Sequence, residues 1–254
     1  MTQPADSPRA ARLYHTLSSY GWYDEPVITR GADVESVPPT TVDPEALVNL
    51  ASLLRSRSSQ RGFTGAALTV DQLLAVLWCG YGSISAPDGL HRATVPSAGG
   101  LYPLALAVLP LAVDGLDCCV HVFDPATMTV VSGRDLDRPR VEDWFRTHHV
   151  DFRTAAAVVI VMADIDEPVR RYGERGYRYV LLEAGHVVQN VALAAAASGL
   201  GAVALGGFDD EVVNAAVGPA CDGRVAVYSV AIGGVDSPDH PYAAIRVIDS
   251  IRNG

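Results

Sequence analysis

The 254-residue chain lacks an excess of positive charge. Its formal net charge is −10 and its pI is near 5.0, which argues against a nucleic-acid or anionic-membrane surface and leaves room only for a local basic pocket. No window of about 18 apolar residues is free of charge or strong polarity, so no membrane span is expected. Met1 to Ala11 is polar and lacks the apolar core of a signal sequence. Only four cysteines occur, and none forms a CxxC pair. Cys79, Cys118, Cys119 and Cys221 read as buried free thiols in a reducing compartment, which makes the cytoplasm the expected location. Cys118 and Cys119 are adjacent in an expected strand and would point to opposite faces. His148-His149 is the only histidine pair, and neighbours on a helix diverge by about 100°, so no metal site is expected. No internal repeat and no low-complexity linker interrupts the sequence.

About half of the chain, 49%, is hydrophobic, enough for a sizeable core. Residues 1–40 are weakly patterned, with a short helix over Leu13 to Trp22 and breaks at Pro26 and Pro38-Pro39. They read as an arm or lead-in, either frayed or packed on a partner subunit. Residues 41–254 read as one α+β domain, a mixed sheet flanked by helices. Asp43-Pro44-Glu45 caps and starts a helix, and Leu47, Leu50, Leu53 and Leu54 follow at helical spacing. Thr69-Val70-Asp71-Gln72 is a capping box opening an apolar helix to Gly80. Strands are expected over Leu104 to Val113, Cys118 to Phe123, Met128 to Val131, Ala155 to Met162 and Val225 to Gly233. Val141 to His149 reads as a helix, and Asp164 to Gly176 as a charged, partly exposed stretch. A long Ala-rich helix spans about Tyr177 to Ser198, with Glu183, His186 and Asn190 on one polar stripe.

Three stretches hold candidate site residues. Arg55 to Arg61 places three arginines among serines; locally this is either a basic helix end or a phosphate cradle. Ser97-Ala98-Gly99-Gly100 sits between Pro96 and Tyr102-Pro103, just before an apolar strand. It is a tight turn or a place where the backbone approaches something flat. Gly206-Gly207 follows a second apolar stretch. Gly199-Leu200-Gly201-Ala202-Val203-Ala204 nominally fits a dinucleotide fingerprint, but it follows a helix where strand, turn and helix are required, so it is rejected. Arg246 and Arg252 in the tail are available for anions.

Taken in order, Arg57-Ser58-Ser59-x-Arg61-x-Phe63, Val95 to Pro103, Tyr172 to Tyr179, Glu183-Ala184-Gly185-His186-x-x-Gln189-Asn190 and Gly206-Gly207-Phe208 resemble the nitroreductase superfamily of FMN-binding proteins. More narrowly they resemble its SagB-type dehydrogenases, which oxidise azolines to azoles in ribosomal peptide natural products. The resemblance implies a homodimer with FMN at the interface and the Ala-rich helix between subunits. It gives Arg57, Arg61, Ser58 and Ser59 to the phosphate. Ser97, Ala98, Gly99 and Gly100 would lie against the flavin, with backbone N–H groups of Gly206 and Gly207 at its N5. The implied substrate is a modified precursor peptide carrying thiazoline or oxazoline rings. Oxygen would reoxidise the flavin, and a cyclodehydratase complex is the implied partner. The branch's usual catalytic pair is Lys-Tyr; the matching positions here are Arg171 and Tyr172. Arginine stays protonated and cannot act as a base, so either Tyr172 is the base, assisted by Arg171, or the substrate is not an ordinary azoline. Two alternatives stand beside this: an NAD(P)H-dependent nitro- or quinone-reductase, and a degenerate flavoprotein that scaffolds a peptide-modifying complex.

Overall fold

Ala157–Ala163 forms strand β6, and all of its residues are buried. A computed structural model describes residues 7–18, 44–85, 91–132, 141–145, 147 and 149–236. The other strands are β1 (Ser83–Ser85), β2 (His91–Ala93), β3 (Leu104–Pro110), β4 (His121–Asp124), β5 (Thr129–Ser132), β7 (Leu200–Leu205) and β8 (Val225–Gly234). The helices are α1 (Ser7–Leu17), α2 (Pro44–Ser56), α3 (Val70–Tyr81), α4 (Asp166–Tyr172), α5 (Arg175–Ala197) and α6 (Asp210–Val217).

Among the described residues six strands form one sheet in the order β5-β4-β3-β6-β8-β7. All its ladders are antiparallel. The sheet is thus antiparallel and not mixed as expected; parallel pairing among the described residues is confined to isolated bridges, Ser59 with Ala202 and Leu68 with Val113. Successive side chains of a strand point to opposite faces. So Ala157, Val159 and Val161 of β6 join the core under α3 and α5, while Val158, Ile160 and Met162 join Phe145, Phe152, Phe208 and Val213 on the other face. This is a three-layer α+β architecture, with helices on both faces of the sheet.

α3 begins as its sequence dictates. Thr69 accepts from the Gln72 N–H, and the Gln72 side chain reaches back to the Thr69 N–H. The helix packs on α5, which among the described residues is the one helix long and apolar enough to cross a membrane. Its apolar residues Val180, Ala184, Val187, Val191 and Ala195 are in fact core. Gly199, at φ 71°, ends the helical stretch as expected.

Several expected elements differ. Val141 to His149 is not a helix: a 3-10 turn covers only Val141–Trp144. The backbone there is committed elsewhere, because Phe145 bridges Phe208 and the Trp144 carbonyl accepts from the Asp209 N–H. Cys118 and Cys119 lie in a bend ahead of β4 rather than in a strand, with the Cys119 N–H turned back to the Asp117 carbonyl. β3 stops at Pro110, because the N–H groups of Leu111 and Ala112 both turn to the Ala156 carbonyl. α4 and α6 were not expected. The short helix of the arm is Ser7–Leu17. Asp43, His148, the prolines at 26, 38 and 39, Arg246 and Arg252 lie outside the described residues.

One glycine sets how α4 meets α5. A Cβ at Gly176, in the first turn of α5, would stand 2.2 Å from the Pro168 carbonyl oxygen of α4. Backbone cannot swing aside like a side-chain tip. Gly176→Ala is therefore expected to cost roughly 1–3 kcal/mol in urea denaturation. Gly185, on the same helix with nothing within 4 Å, is the control: its alanine variant should gain up to about 1 kcal/mol.

Candidate functional site

Antiparallel pairing brings several chain ends to one edge of the sheet. Leu104, the first residue of β3, pairs with Ala163, the last of β6. Ala163 pairs with Val225 at the start of β8, and the last residue of β7, Leu205, lies beside Ser229 of β8. The segments 97–103, 164–172 and 206–209 therefore emerge on the same side.

Ser97 to Tyr102 folds tightly. The Gly100 N–H donates to the Ser97 carbonyl at 3.1 Å, and the Tyr102 N–H to Ser97 Oγ at 2.9 Å. Gly99 and Gly100 have φ of 62° and 66°, a left-handed region that suits glycine. The two differ in surroundings. A Cβ at Gly99 would fall 2.2 Å from the Tyr172 hydroxyl and 3.1 Å from Arg171 Cζ, whereas at Gly100 nothing lies within 4 Å. Arg171 and Tyr172 thus pack directly on the Ser97–Gly100 turn. The Arg171 guanidinium is 5.6 Å from the centroid of the Tyr172 ring, a cation–π geometry. Tyr172 in turn stands edge-on to Tyr179 at 5.3 Å.

The first turn of α5 adjoins this cluster, with the Arg175 guanidinium 5.8 Å from the Tyr179 ring centroid. Burial, and after it the nearby Tyr14 and the negative charge of Asp210, push the Tyr177 phenol up. The same turn holds α1. Arg175 Nη1 donates to the Ser18 carbonyl at 3.1 Å, Arg178 Nη2 to the His15 carbonyl at 3.2 Å, and the rings of Tyr14 and Tyr177 meet edge-on at 5.7 Å. Sequence reasoning missed this docking; the arginines at 175 and 178, one turn apart, were its only signal.

The expected polar stripe of α5 splits. Glu183 points inward at 3% exposure, His186 is exposed, and Asn190 donates to the Thr94 carbonyl at 3.3 Å. Tyr81 donates to Glu183 Oε1 at 2.8 Å, and Ser97 lies beside the carboxylate around one small cavity. Burial pushes the Glu183 carboxyl above its ordinary value, and the two hydroxyls only partly offset that.

Arg57 to Arg61 lies elsewhere. Ser59 bridges Ala202 near the start of β7, and the Gln60 N–H donates to the Ala202 carbonyl at 3.0 Å. Gly201 permits this approach, since a Cβ there would sit 2.8 Å from Gln60 Cβ. Arg57 is half-buried, while Ser58, Ser59 and Arg61 are exposed. Gln60 Nε2 donates to the Ser58 hydroxyl at 2.8 Å. Among the described residues no carboxylate pairs with Arg57 or Arg61. Two uncommitted guanidiniums beside serines, in a chain of net charge −10, fit a phosphate. Gly206 and Gly207, both exposed, lie about 13 Å further along β7, and β7 is the edge strand. A phosphate-bearing group with a flat ring fits such a flank. The Ser97–Gly100 turn is three strand spacings from β7, about 14 Å, and at the far end of the sheet from Arg57. One chain brings Ser97–Gly100 to Arg171 and Tyr172, and does not bring it to Arg57 or Arg61.

At one end of this edge strand lie Arg57 and Arg61 among serines, and past its other end lies an exposed glycine pair. The chain belongs to the nitroreductase family, whose signature matches residues 54–234 and whose members are FMN-dependent oxidoreductases. It is 34% identical over 173 residues to MJ1384, a candidate nitroreductase of Methanocaldococcus jannaschii, covering 66% of this chain and 83% of that protein. A candidate nitroreductase from Anabaena variabilis ATCC 29413 superposes with a TM-score of 0.60 at 26% identity. That match covers 73% of this chain and only 38% of that one. A chain of the E. coli microcin synthetase McbBCD complex, solved with truncated pro-MccB17 bound, gives 0.60 at 16% identity. It covers 93% of this chain and 95% of its own, a likeness of fold.

Two outcomes follow. Gly100→Ala should cost only the left-handed strain, about 1–2 kcal/mol, whereas Gly99→Ala must also displace Tyr172 and should cost more in the same denaturation assay. Because the folded Glu183 carboxyl titrates above its ordinary 4.5, its contribution to stability is full below that pH. That contribution is lost as pH rises through the folded value. The stability difference between wild type and Glu183→Gln should therefore change across that window, and a constant difference would contradict the assignment.

Proposed function

We propose that the chain is an FMN-dependent dehydrogenase that oxidises azoline rings to azoles in a ribosomally made peptide. The observation that carries this reading is the Arg171–Tyr172 pair packed on Gly99, at the sheet end shared with Gly206 and Gly207. The guanidiniums of Arg57 and Arg61, with Ser58 and Ser59, hold the FMN phosphate. The backbone of Gly206 and Gly207 meets the ring. Ser97, Ala98, Gly99 and Gly100 close on a ring bound to a second copy, since within one chain the sheet separates them from Arg57. α2 supports a dimer: Leu47, Val48, Leu50 and Leu54 are all exposed along it.

FMN, when bound, supplies a two-electron acceptor for hydride from the substrate ring. Tyr172 removes the ring proton. The Arg171 guanidinium, 5.6 Å from the centroid of the Tyr172 ring, is the positioning partner in that step. All 19 basic residues of this chain are arginine, so the replacement of the branch's usual lysine is part of a chain-wide pattern. The end-to-end likeness of fold to a chain of a peptide-bound synthetase assembly is consistent with a peptide substrate and a cyclodehydratase partner. The family relationship and the 34%-identical relative favour a second reading, a nitro- or quinone-reductase using NAD(P)H. A flavin-binding scaffold without turnover is the third.

Wild-type protein should bind FMN, and Arg57→Ala should weaken it by roughly tenfold or more, read by flavin fluorescence. On a thiazoline-bearing peptide the holoenzyme should remove two hydrogens per ring by mass spectrometry. Tyr172→Phe should keep the flavin and lose that change. Full turnover by Tyr172→Phe would remove Tyr172 from the mechanism, and a wild type that binds FMN without any turnover would favour the scaffold.

A further inference from the structure

Two hydroxyls hold the backbone where the Ser97–Gly100 turn runs into β3, and both lie beside one carboxylate. The Tyr102 N–H donates to Ser97 Oγ at 2.9 Å, and the Leu104 N–H to the Tyr81 hydroxyl at 3.3 Å. Tyr81 donates its own proton to Glu183 Oε1 at 2.8 Å, and Ser97 lines the same small cavity as that carboxylate. Tyr81 therefore accepts from the backbone and donates to Glu183, and Ser97 accepts from the backbone beside the same group. Tyr81 closes α3, Ser97 opens the turn and Glu183 lies on α5, so three separate parts of the chain meet at this point.

An ionised carboxylate is acceptor-only and can take both protons at once; a glutamine amide cannot without turning an N–H₂ toward a hydroxyl. The backbone held this way is strained. Gly99 and Gly100 are left-handed, and Tyr102, which has a side chain, has φ 48°. Such a conformation persists only where its surroundings over-determine it. The Tyr102 ring is braced as well, edge-on to Tyr81 at 6.4 Å, with its hydroxyl accepting from the Ala93 N–H at 3.3 Å.

We propose that Glu183 is a positioning residue. It is the buried common acceptor that fixes residues 97–104 through Ser97 and Tyr81, and so sets Gly99 and Gly100 for the flavin and for Tyr172. Glu183 touches neither substrate nor flavin in this role. The effect on flavin rests on the reading above; the hydrogen-bond relay does not.

The test uses the full chain with Ser97→Ala, Tyr81→Phe and Glu183→Gln, singly, and with Ser97→Ala and Glu183→Gln combined. Amide hydrogen exchange is read at Tyr102 and Leu104 without FMN, and FMN affinity is read by fluorescence. Ser97→Ala should speed exchange at Tyr102 by roughly tenfold and spare Leu104, Tyr81→Phe should do the reverse, and Glu183→Gln should speed both. The double variant should match Glu183→Gln at Tyr102, because both changes break one relay. FMN should bind roughly tenfold more weakly to Ser97→Ala and to Glu183→Gln. Wild-type exchange at both amides in Glu183→Gln, or a uniform rise across the whole chain, would overturn the proposal. If Glu183→Gln does not fold, the opposed Tyr102 and Leu104 patterns of the two hydroxyl variants decide it. A wild type that binds no FMN would sink the flavin reading, while the exchange pattern would still decide the relay.

Discussion

Antiparallel pairing through β3, β6, β8 and β7 is the constraint on which the site depends. It makes the start of β3, the end of β6 and the end of β7 share one edge, whatever the loops between them do. The loops then need only short-range chemistry to meet. Gly99 accepts Tyr172 because it has no Cβ, and Gly176 lets α4 close on α5 so that Arg171 and Tyr172 arrive at that edge. The buried Glu183 completes the arrangement from beneath, accepting from the Tyr81 hydroxyl.

The same topology separates the residues proposed for the cofactor. Arg57 to Ser59 runs alongside the start of β7, and Gly206-Gly207 follows its end. The turn at Ser97 is three strands away, on the far side of β6 and β8. On the proposed reading a site needing both sets of residues would be completed by a second copy, and the exposed leucines of α2 and α5 offer apolar surface for one.

Much of this was legible in the sequence. The strands of the core announce themselves as apolar runs, and the capping box at Thr69 fixes the start of α3. The order of the five motifs identified the family. What the sequence hid was tertiary. Val141 to His149 has helical spacing, but its backbone is taken by Phe208 and Asp209. Glu183 looked like part of a polar stripe with His186 and Asn190, since helical periodicity cannot tell which member of a stripe finds buried donors. The docking of α1 on Arg175 and Arg178 depends on partners more than 150 residues apart in the chain, which no local pattern encodes.

The central claim is that the electrons come from an azoline-bearing peptide and that Arg171–Tyr172 faces that peptide. Anaerobic absorbance spectroscopy of the FMN-loaded protein tests it most directly. The account predicts that the oxidised flavin band bleaches when the azoline peptide is added and persists with NADPH alone. Rapid bleaching by NADPH with none by the peptide would contradict it and return the chain to the nitro- and quinone-reductases of its family.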